Sequence, residues 1–525
     1  MRSGDSSRAL AIQLEKYLIE RKIRSGMEAV RAILDKGPFL PASLESGIPL
    51  LFCITQWIDL GFNSDLSIDD LLGSLADSER GVMPMNDFLQ LRMVEAFACM
   101  RKEDFSGAIL LLRTATELGS GVLSPYGNFV AHFWLGRAQR LAGNFEESLD
   151  LFRKARAIAL RMRAAKLVAV TKIHESWLVF HKGDMQEALL LLDESEKELL
   201  PTGHALSLGN ISAARGRFVR SSGQYAEALE HFTRAIKIYS PDFADHPNLA
   251  RSLVNAAYVK RLMALELQPK TRGAAASAAT HKRSLAHAKE ALGLLHRAGE
   301  IYKHQRHQGG TGAVLVNTGY LQLESGDIEQ AAATALEAYV LGESKMDEVL
   351  MARANILQAF VELASCEEQL EDEPDAPSHS SLAAKYADQA VDLASRTQNR
   401  RLLAAAYIIR GLVAADDAHQ DWLLARSYAA KAKALLGEKD RDHLWRELLT
   451  LNQKISRSTA VDEIIKAWCD GELGGRTFQQ VQDEFAEIVI PKAWVKLDRK
   501  VSRVAHELSI SPKKVRRILR ASRHI

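Results

Sequence analysis

Four cysteines in 525 residues, Cys53, Cys99, Cys366 and Cys469, stand far apart and form no CxxC pair. That excludes a disulfide framework and is the usage of reduced, buried thiols in a cytoplasmic protein. Proline is scarce at 13 residues and aromatics make up 7% of the chain, while alanine and leucine abound. No stretch sustains the period-2 alternation of a half-buried strand, so no sheet is expected. The longest apolar run, near Ile48 to Ile58, is too short for a bilayer, and the N-terminal residues lack the uncharged apolar core of a signal peptide. No membrane association is expected. There is no GxxxxGK[ST] phosphate loop, no HExxH and no GxSxG. His281, His287, His296, His304 and His307 cluster without paired cysteines or a carboxylate at ligand spacing, and read as a solvated helix face or loop, not a metal site. The expectation is a non-enzymatic chain with no catalytic residues, no cofactor and no metal.

What is present is charge asymmetry. The formal net charge is +2. Lys492 to Ile525 holds 11 Lys/Arg and 2 Asp/Glu, a net of +9, which leaves −7 for residues 1–491. A near-neutral total therefore conceals an acidic body and a basic tail, the footprint of a polyanion partner.

The tail also has a pattern. In KVSRVAHELSISPKKVRRILR, Lys500 to Arg520, the residues Val501, Val504, Ala505 and Leu508 share one helical face. Ser509-Ile510-Ser511 is a short polar break. Ser511 suits an N-cap and Pro512 the first helical position. Val515, Ile518 and Leu519 then form an apolar face, with Lys513, Lys514, Arg516, Arg517 and Arg520 opposite. Two short helices joined by a tight turn, the second cationic, predict a helix-turn-helix for the DNA major groove.

From about Arg476 the segment resembles the Fis-type helix-turn-helix found at the C-termini of many bacterial transcription regulators. Phe478, Val481, Phe485 and Ile488 match the stripe of its first helix, and Ala505 the small residue where two helices cross. Ser509 stands where the family more often has glycine. The resemblance implies contact with double-stranded DNA through Ser511, Lys513, Lys514, Arg516, Arg517 and Arg520. It also implies a homodimer paired through the first helix.

The body repeats. Aligning Ala131–Ala155 with Ser212–Ala235 superposes Gly136 on Gly216, Gly143 on Gly223, Phe145 on Tyr225, Ser148 on Ala228, Phe152 on Phe232 and Ala155 on Ala235. Gly183, Met185, Ala188 and Leu192 keep the spacing, as do Gly319, Gly326, Ile328, Ala331 and Ala338, and more weakly Phe105, Ala108, Leu112 and Ala115. Weaker units follow at Met351–Ala390 and Leu402–Leu436. The period is about 40 residues, and these positions resemble the tetratricopeptide repeat, a helix-turn-helix unit. The expected fold is all-α: a right-handed TPR-like α-solenoid over 86–450, a degenerate helical cap over 1–85, a linker over 451–475 and the small helix-turn-helix over 476–525. Gln268 to His281 and Glu367 to Ser381 interrupt the pattern and read as an extension and an exposed loop.

Two sets of residues are candidates for a partner surface. Asn255, Asn317 and Asn355 occupy equivalent places in three units, with Tyr258 and Tyr320 three residues later in two of them. An amide both donates and accepts, so such a ladder suits an extended peptide; it equally suits packing against neighbouring helix backbones. Arg137, Arg140, Arg217 and Arg220 fall one turn apart on the first helices of two units, fit either for an acidic peptide or phosphate or for salt bridges to adjacent helices. The resulting expectation is a DNA-binding transcriptional regulator whose solenoid senses a peptide or protein. The alternative is a TPR adaptor whose basic tail docks an acidic partner.

Overall fold

The computed structural model describes residues 3–34, 44–61, 68–73, 82–267, 278–368, 376–416, 418–436, 441–469, 471 and 474–521. Among them every regular element is a helix. The chain divides into two compact units, Met1–Asn317 and Thr318–Ile525.

The first unit opens with α1 (Ser3–Glu20), α2 (Ile23–Leu34), α3 (Leu44–Asp59) and α4 (Ile68–Gly73). Helix pairs follow: α5 (Met85–Arg101) with α6 (Phe105–Leu118), α7 (Pro125–Leu141) with α8 (Phe145–Arg161), α9 (Ala165–Lys182) with α10 (Met185–Leu199), α11 (Ala205–Ser221) with α12 (Tyr225–Tyr239), and α13 (Pro247–Glu266) with α14 (Ala278–His304). This is a TPR-like solenoid of paired helices. The turns within the pairs that begin with α5, α7, α9 and α11 share one backbone pattern. Gly183 sits at φ +102°, its N–H donates to Phe180 O (2.9 Å), and the next N–H, of Asp184, donates to Val179 O (3.2 Å). That bond pattern stops the first helix in a left-handed residue. Asp184 then caps the second helix by accepting from Glu187 N (3.0 Å). Gly143-Asn144 and Gly223-Gln224 make the same backbone bonds, Asn144 N to Gln139 O (2.9 Å) and Gln224 N to Val219 O (3.4 Å). Glu103 makes the α5–α6 turn without glycine, at φ +61°, which is why the repeat is weaker in the sequence there, and Arg163 makes the same bonds at φ +54° in the link between α8 and α9.

Pair packing explains the other shared positions. A Cβ on Gly136 would lie 3.2 Å from the Phe152 ring, and one on Gly216 would lie 2.9 Å from Phe232. A Cβ at Gly216 would force Phe232 to shift, and one at Gly136 would crowd Phe152, so glycine lets these helices close tightly on a fully buried phenylalanine. Ser148 adds a buried hydrogen bond to Gly136 O (2.7 Å). Helices α1 to α4 have no such register, but Leu14, Leu18, Ile54 and Trp57 join the same core as the repeats.

Helix α15 (Gln308–Glu324) spans the unit boundary. In the second unit α16 (Ile328–Ser344), α17 (Glu348–Glu368), α18 (Ala376–Ser395), α19 (Arg400–Ala414), α20 (Trp422–Leu435) and α21 (His443–Cys469) continue the helical pattern. The segment Glu348–Cys366 is long and apolar enough to cross a bilayer. Its Ala352, Ile356 and Ala359 pack against Ala387, Ala406 and Ile409, so it serves as a core helix. The stretch 451–475 departs from the expected linker. It is helical through Cys469, because Leu448, Leu451 and Ile455 carry helical spacing into the core formed with Ala404 and Ile408. The segment Glu367–Ser381, expected as a loop, is helix through Glu368 and again from Ala376, with Pro377 in the first turn where it costs no hydrogen bond; 369–375 lie outside the described residues. Of Gln268–His281, residues 268–277 also lie outside them, and 278 onward is helix.

The chain closes with α22 (Phe478–Lys496), α23 (Val501–Glu507) and α24 (Pro512–Ala521). Ile490, Trp494, Val504, Ala505, Val515, Ile518 and Leu519 form their common core.

Candidate functional site

The C-terminal helices present a cationic face. Thr477 caps α22 with a reciprocal Thr477–Gln480 capping box. Ser509, at φ +50°, carries the chain out of α23. Ser511 Oγ accepts from Lys514 N (3.2 Å) and starts α24. With Val515, Ile518 and Leu519 buried, Ser511, Lys513, Lys514, Arg516, Arg517 and Arg520 are all exposed. Of the stripe on α22, Phe478 is 72% and Phe485 is 45% exposed, with Val481 and Ile488 half-buried. The shared core instead uses Ile490 and Trp494 on the last turns of that helix.

Two of the three asparagines are held by nearby groups. Asn255 Nδ2 donates to Arg251 O (2.7 Å) and its Oδ1 accepts from Arg220 (3.0 Å). The Arg220 guanidinium lies 4.8 Å from the Tyr258 ring. Asn317 donates to Ala313 O (2.7 Å) by the same four-residue back-bond. Asn355, in the second unit, is 1% exposed, and neither amide atom has a hydrogen-bond partner among the described residues. Tyr320 meets Phe360 edge-on at 6.2 Å.

In the first unit Arg137, Arg140 and Arg217 converge on one cavity of about 210 Å³. Arg21, at the end of α1, and Arg251, on α13, complete its cationic wall, and Asp59 is the one carboxylate lining it. Asp59 is bound to Arg137 (2.5 Å). Arg140 stacks 5.3 Å from the Trp177 ring centre. Burial, reinforced by Arg251, Arg137 and Arg217, brings Arg140 down to about 9. Burial, reinforced by Arg251 and Arg220, does the same to Arg217. Burial, then Arg140 and Arg137, hold His174 well below the ordinary histidine value, so the imidazole stays neutral. The sequence pattern finds Arg137, Arg140 and Arg217 because repetition puts them one and four residues after the packing glycines. It misses Arg21 and Asp59, which come from the cap, and Arg251, which sits at a different repeat position.

Of the clustered histidines, His281, His287, His296 and His304 lie along α14 and His307 just beyond it. His307 Nδ1 lies 2.9 Å from Glu103, His304 pairs with Asp245, and no group fit to hold a metal ion occurs among the described residues.

No protein-family model and no curated protein matches the sequence. Solved structures similar to it include the apo form of the quorum sensor NprR from B. thuringiensis, 13% identical, covering 74% of this chain and 96% of that one at a TM-score of 0.47. A Rap protein complexed with competence and sporulation factor is 12% identical, covering 86% and 99% at 0.48. The TPR-like repeats of a kinesin light chain from Podosopora anserina are 18% identical, covering 42% and 97% at 0.28.

Proposed function

We propose that the chain is a non-enzymatic, DNA-binding transcriptional regulator of the cytoplasm. Its solenoid senses a peptide or protein, and its last two helices contact DNA as a Fis-type helix-turn-helix. One observation carries the reading: the cationic residues of α24 are all exposed, while its apolar residues are all spent on the three-helix core. Lys513 and Arg516, on the first turns, would then meet base edges, and Arg517 and Arg520 phosphates, with Ser511 and Lys514 beside them at the helix start. The exposed Phe478 and Phe485 support a homodimer paired through α22. For partner sensing, the candidates of the first unit are Asn255, Tyr258, Asn317, Arg217 and Arg220, and those of the second unit, taken by itself, are Tyr320 and Asn355. The test is duplex binding by the full chain and by the Lys513→Ala, Arg516→Ala variant across a salt series. Loss of salt-dependent binding in the variant supports the reading. Equal binding by both forms overturns it and leaves the adaptor alternative, in which the tail docks an acidic protein.

A further inference from the structure

We propose that the arginine-walled cavity of the first unit binds a small metabolite carrying two or more phosphate groups. The cavity gathers five guanidinium groups, Arg21, Arg137, Arg140, Arg217 and Arg251, against the single carboxylate of Asp59. The arginines come from four different helices or their ends, so the convergence is a property of the fold and not of one basic helix.

The charges are not neutralised internally. Asp59 pairs with Arg137. Arg21, Arg140, Arg217 and Arg251 have no carboxylate partner among the described residues, and the Nε of Arg21, Arg140 and Arg217 is buried with no hydrogen-bond acceptor there. Arg21 is drawn to Tyr126 and, without an ion pair, to the Asp59 that Arg137 already binds, while the neighbours of Arg140 and Arg251 are the neutral Trp177 ring and Tyr302 hydroxyl. The lining histidines add no compensation, since burial keeps His174 and His204 uncharged. Cationic groups packed together away from water repel one another and lose hydration, an arrangement that favours an anion in the space between them.

The size of that anion follows from the charge and the volume. Five positive groups against one negative leave four to be met inside about 210 Å³. A peptide carboxylate brings one negative charge. A phosphate monoester brings roughly −1.5 to −2 and three acceptor oxygens, which guanidinium forks engage in pairs. Two phosphates therefore match four arginines. Asn210, Ser207 and Asn248 on the same wall offer neutral hydrogen bonds to the rest of the ligand.

The site shares Arg217 with the proposed sensing residues but takes a different ligand and uses no residue of the tail, so it stands or falls apart from the DNA reading. Calorimetry on the full chain tests it, with inorganic pyrophosphate and ATP as probes and citrate as a carboxylate control. Both phosphates should bind, citrate at least tenfold more weakly, and saturating duplex DNA should not displace them. Arg140→Gln with Arg217→Gln should weaken pyrophosphate at least tenfold. Asp59→Asn, which removes the competing carboxylate, should tighten it, a gain that neither misfolding nor the basic tail can produce. The inference is overturned by failure of both phosphates to bind, by citrate binding as well as pyrophosphate, by displacement with DNA, or by Asp59→Asn binding no tighter than the natural chain.

Discussion

The Ile510 amide donates to the Ala505 carbonyl at 2.9 Å, bridging the turn in which Ser509 takes φ +50°. Gly183 makes the matching turn in the repeats. A side chain in this left-handed conformation costs roughly 1–2 kcal/mol, which glycine escapes, offset in part by its greater freedom when unfolded. Ser509→Gly should therefore stabilise the C-terminal helices by about 0.5–1 kcal/mol, and Ser509→Val should destabilise them by at least as much. Hydrogen exchange of the α23 and α24 amides reads the effect locally. Faster exchange in Ser509→Gly would contradict it.

Tyr239 lies against Gly209 so closely that a Cβ there would stand 2.3 Å from its ring. Tyr239 is fully buried and its hydroxyl donates to Asn210 Oδ1 (2.8 Å). Neither helix can give way without losing that bond. Gly209→Ala should destabilise the first unit by roughly 1–3 kcal/mol through overpacking. Urea denaturation followed by circular dichroism measures this, and an unchanged midpoint would show the helices free to separate.

His204 and His246 tie stability to pH. Burial, then Arg21, lowers His204 to about 3 from an ordinary 6.5. Burial, then Arg251, lowers His246 to about 4. His246 Nδ1 accepts from Asn248 N (3.1 Å), a bond that needs the unprotonated nitrogen. Above about pH 6.5 both histidines are neutral, folded or unfolded, and their contribution is fully present. Below it the unfolded chain takes up protons first, so stability falls with decreasing pH until the folded values are reached, by up to about 1.4 kcal/mol per pH unit per histidine. The urea midpoint should drop between pH 7 and pH 5, and drop less in His204→Asn. An equal drop in both proteins would remove His204 as a cause.

The paired helices were legible because their register rests on a few residues with one physical task each. Gly136 and Gly216 admit a phenylalanine, and Gly143, Gly183 and Gly223 turn the chain. Where Glu103 makes the same turn, the backbone is unchanged but the sequence signal is weaker. The linker expected from 451 is instead helix through Cys469, and the sequence does carry a signal for it, since Val461, Ile464, Ile465 and Trp468 keep helical spacing after Ile455. The tail was legible residue by residue, since Ser511-Pro512 is a local start signal and the apolar spacing is short-range. The arginine cavity was half legible. Repetition reveals Arg137, Arg140 and Arg217, but Arg21 and Asp59 meet them only through tertiary packing, which no periodicity encodes.

The exposed stripe on α22 predicts self-association. Phe478 and Phe485 lie one helical face apart from the core residues Ile490 and Trp494, so charging them should spare the fold. Light scattering should give a dimer at micromolar concentration for the natural chain and a monomer for Phe478→Asp with Phe485→Asp. A monomer in both, with and without DNA, would remove this helix as an interface.

The two ends of α24 should differ in what they read. Lys513 and Arg516 stand on its first turns, and Arg520 stands near its C-terminal end, all exposed. In a major-groove helix the first turns meet base edges, and residues further along meet the backbone. Arg516→Ala should cost roughly 1–3 kcal/mol on the preferred site and less on scrambled sequence, as expected for a bidentate pair to guanine. Arg520→Ala should weaken all duplexes about equally and reduce the salt slope by about one, as expected for a lost phosphate contact. Fluorescence anisotropy on preferred and scrambled duplexes over a salt series separates the two. If Arg516→Ala weakened both duplexes by the same factor, the first turns of α24 would be contacting backbone only, and sequence preference would have to come from elsewhere in the chain.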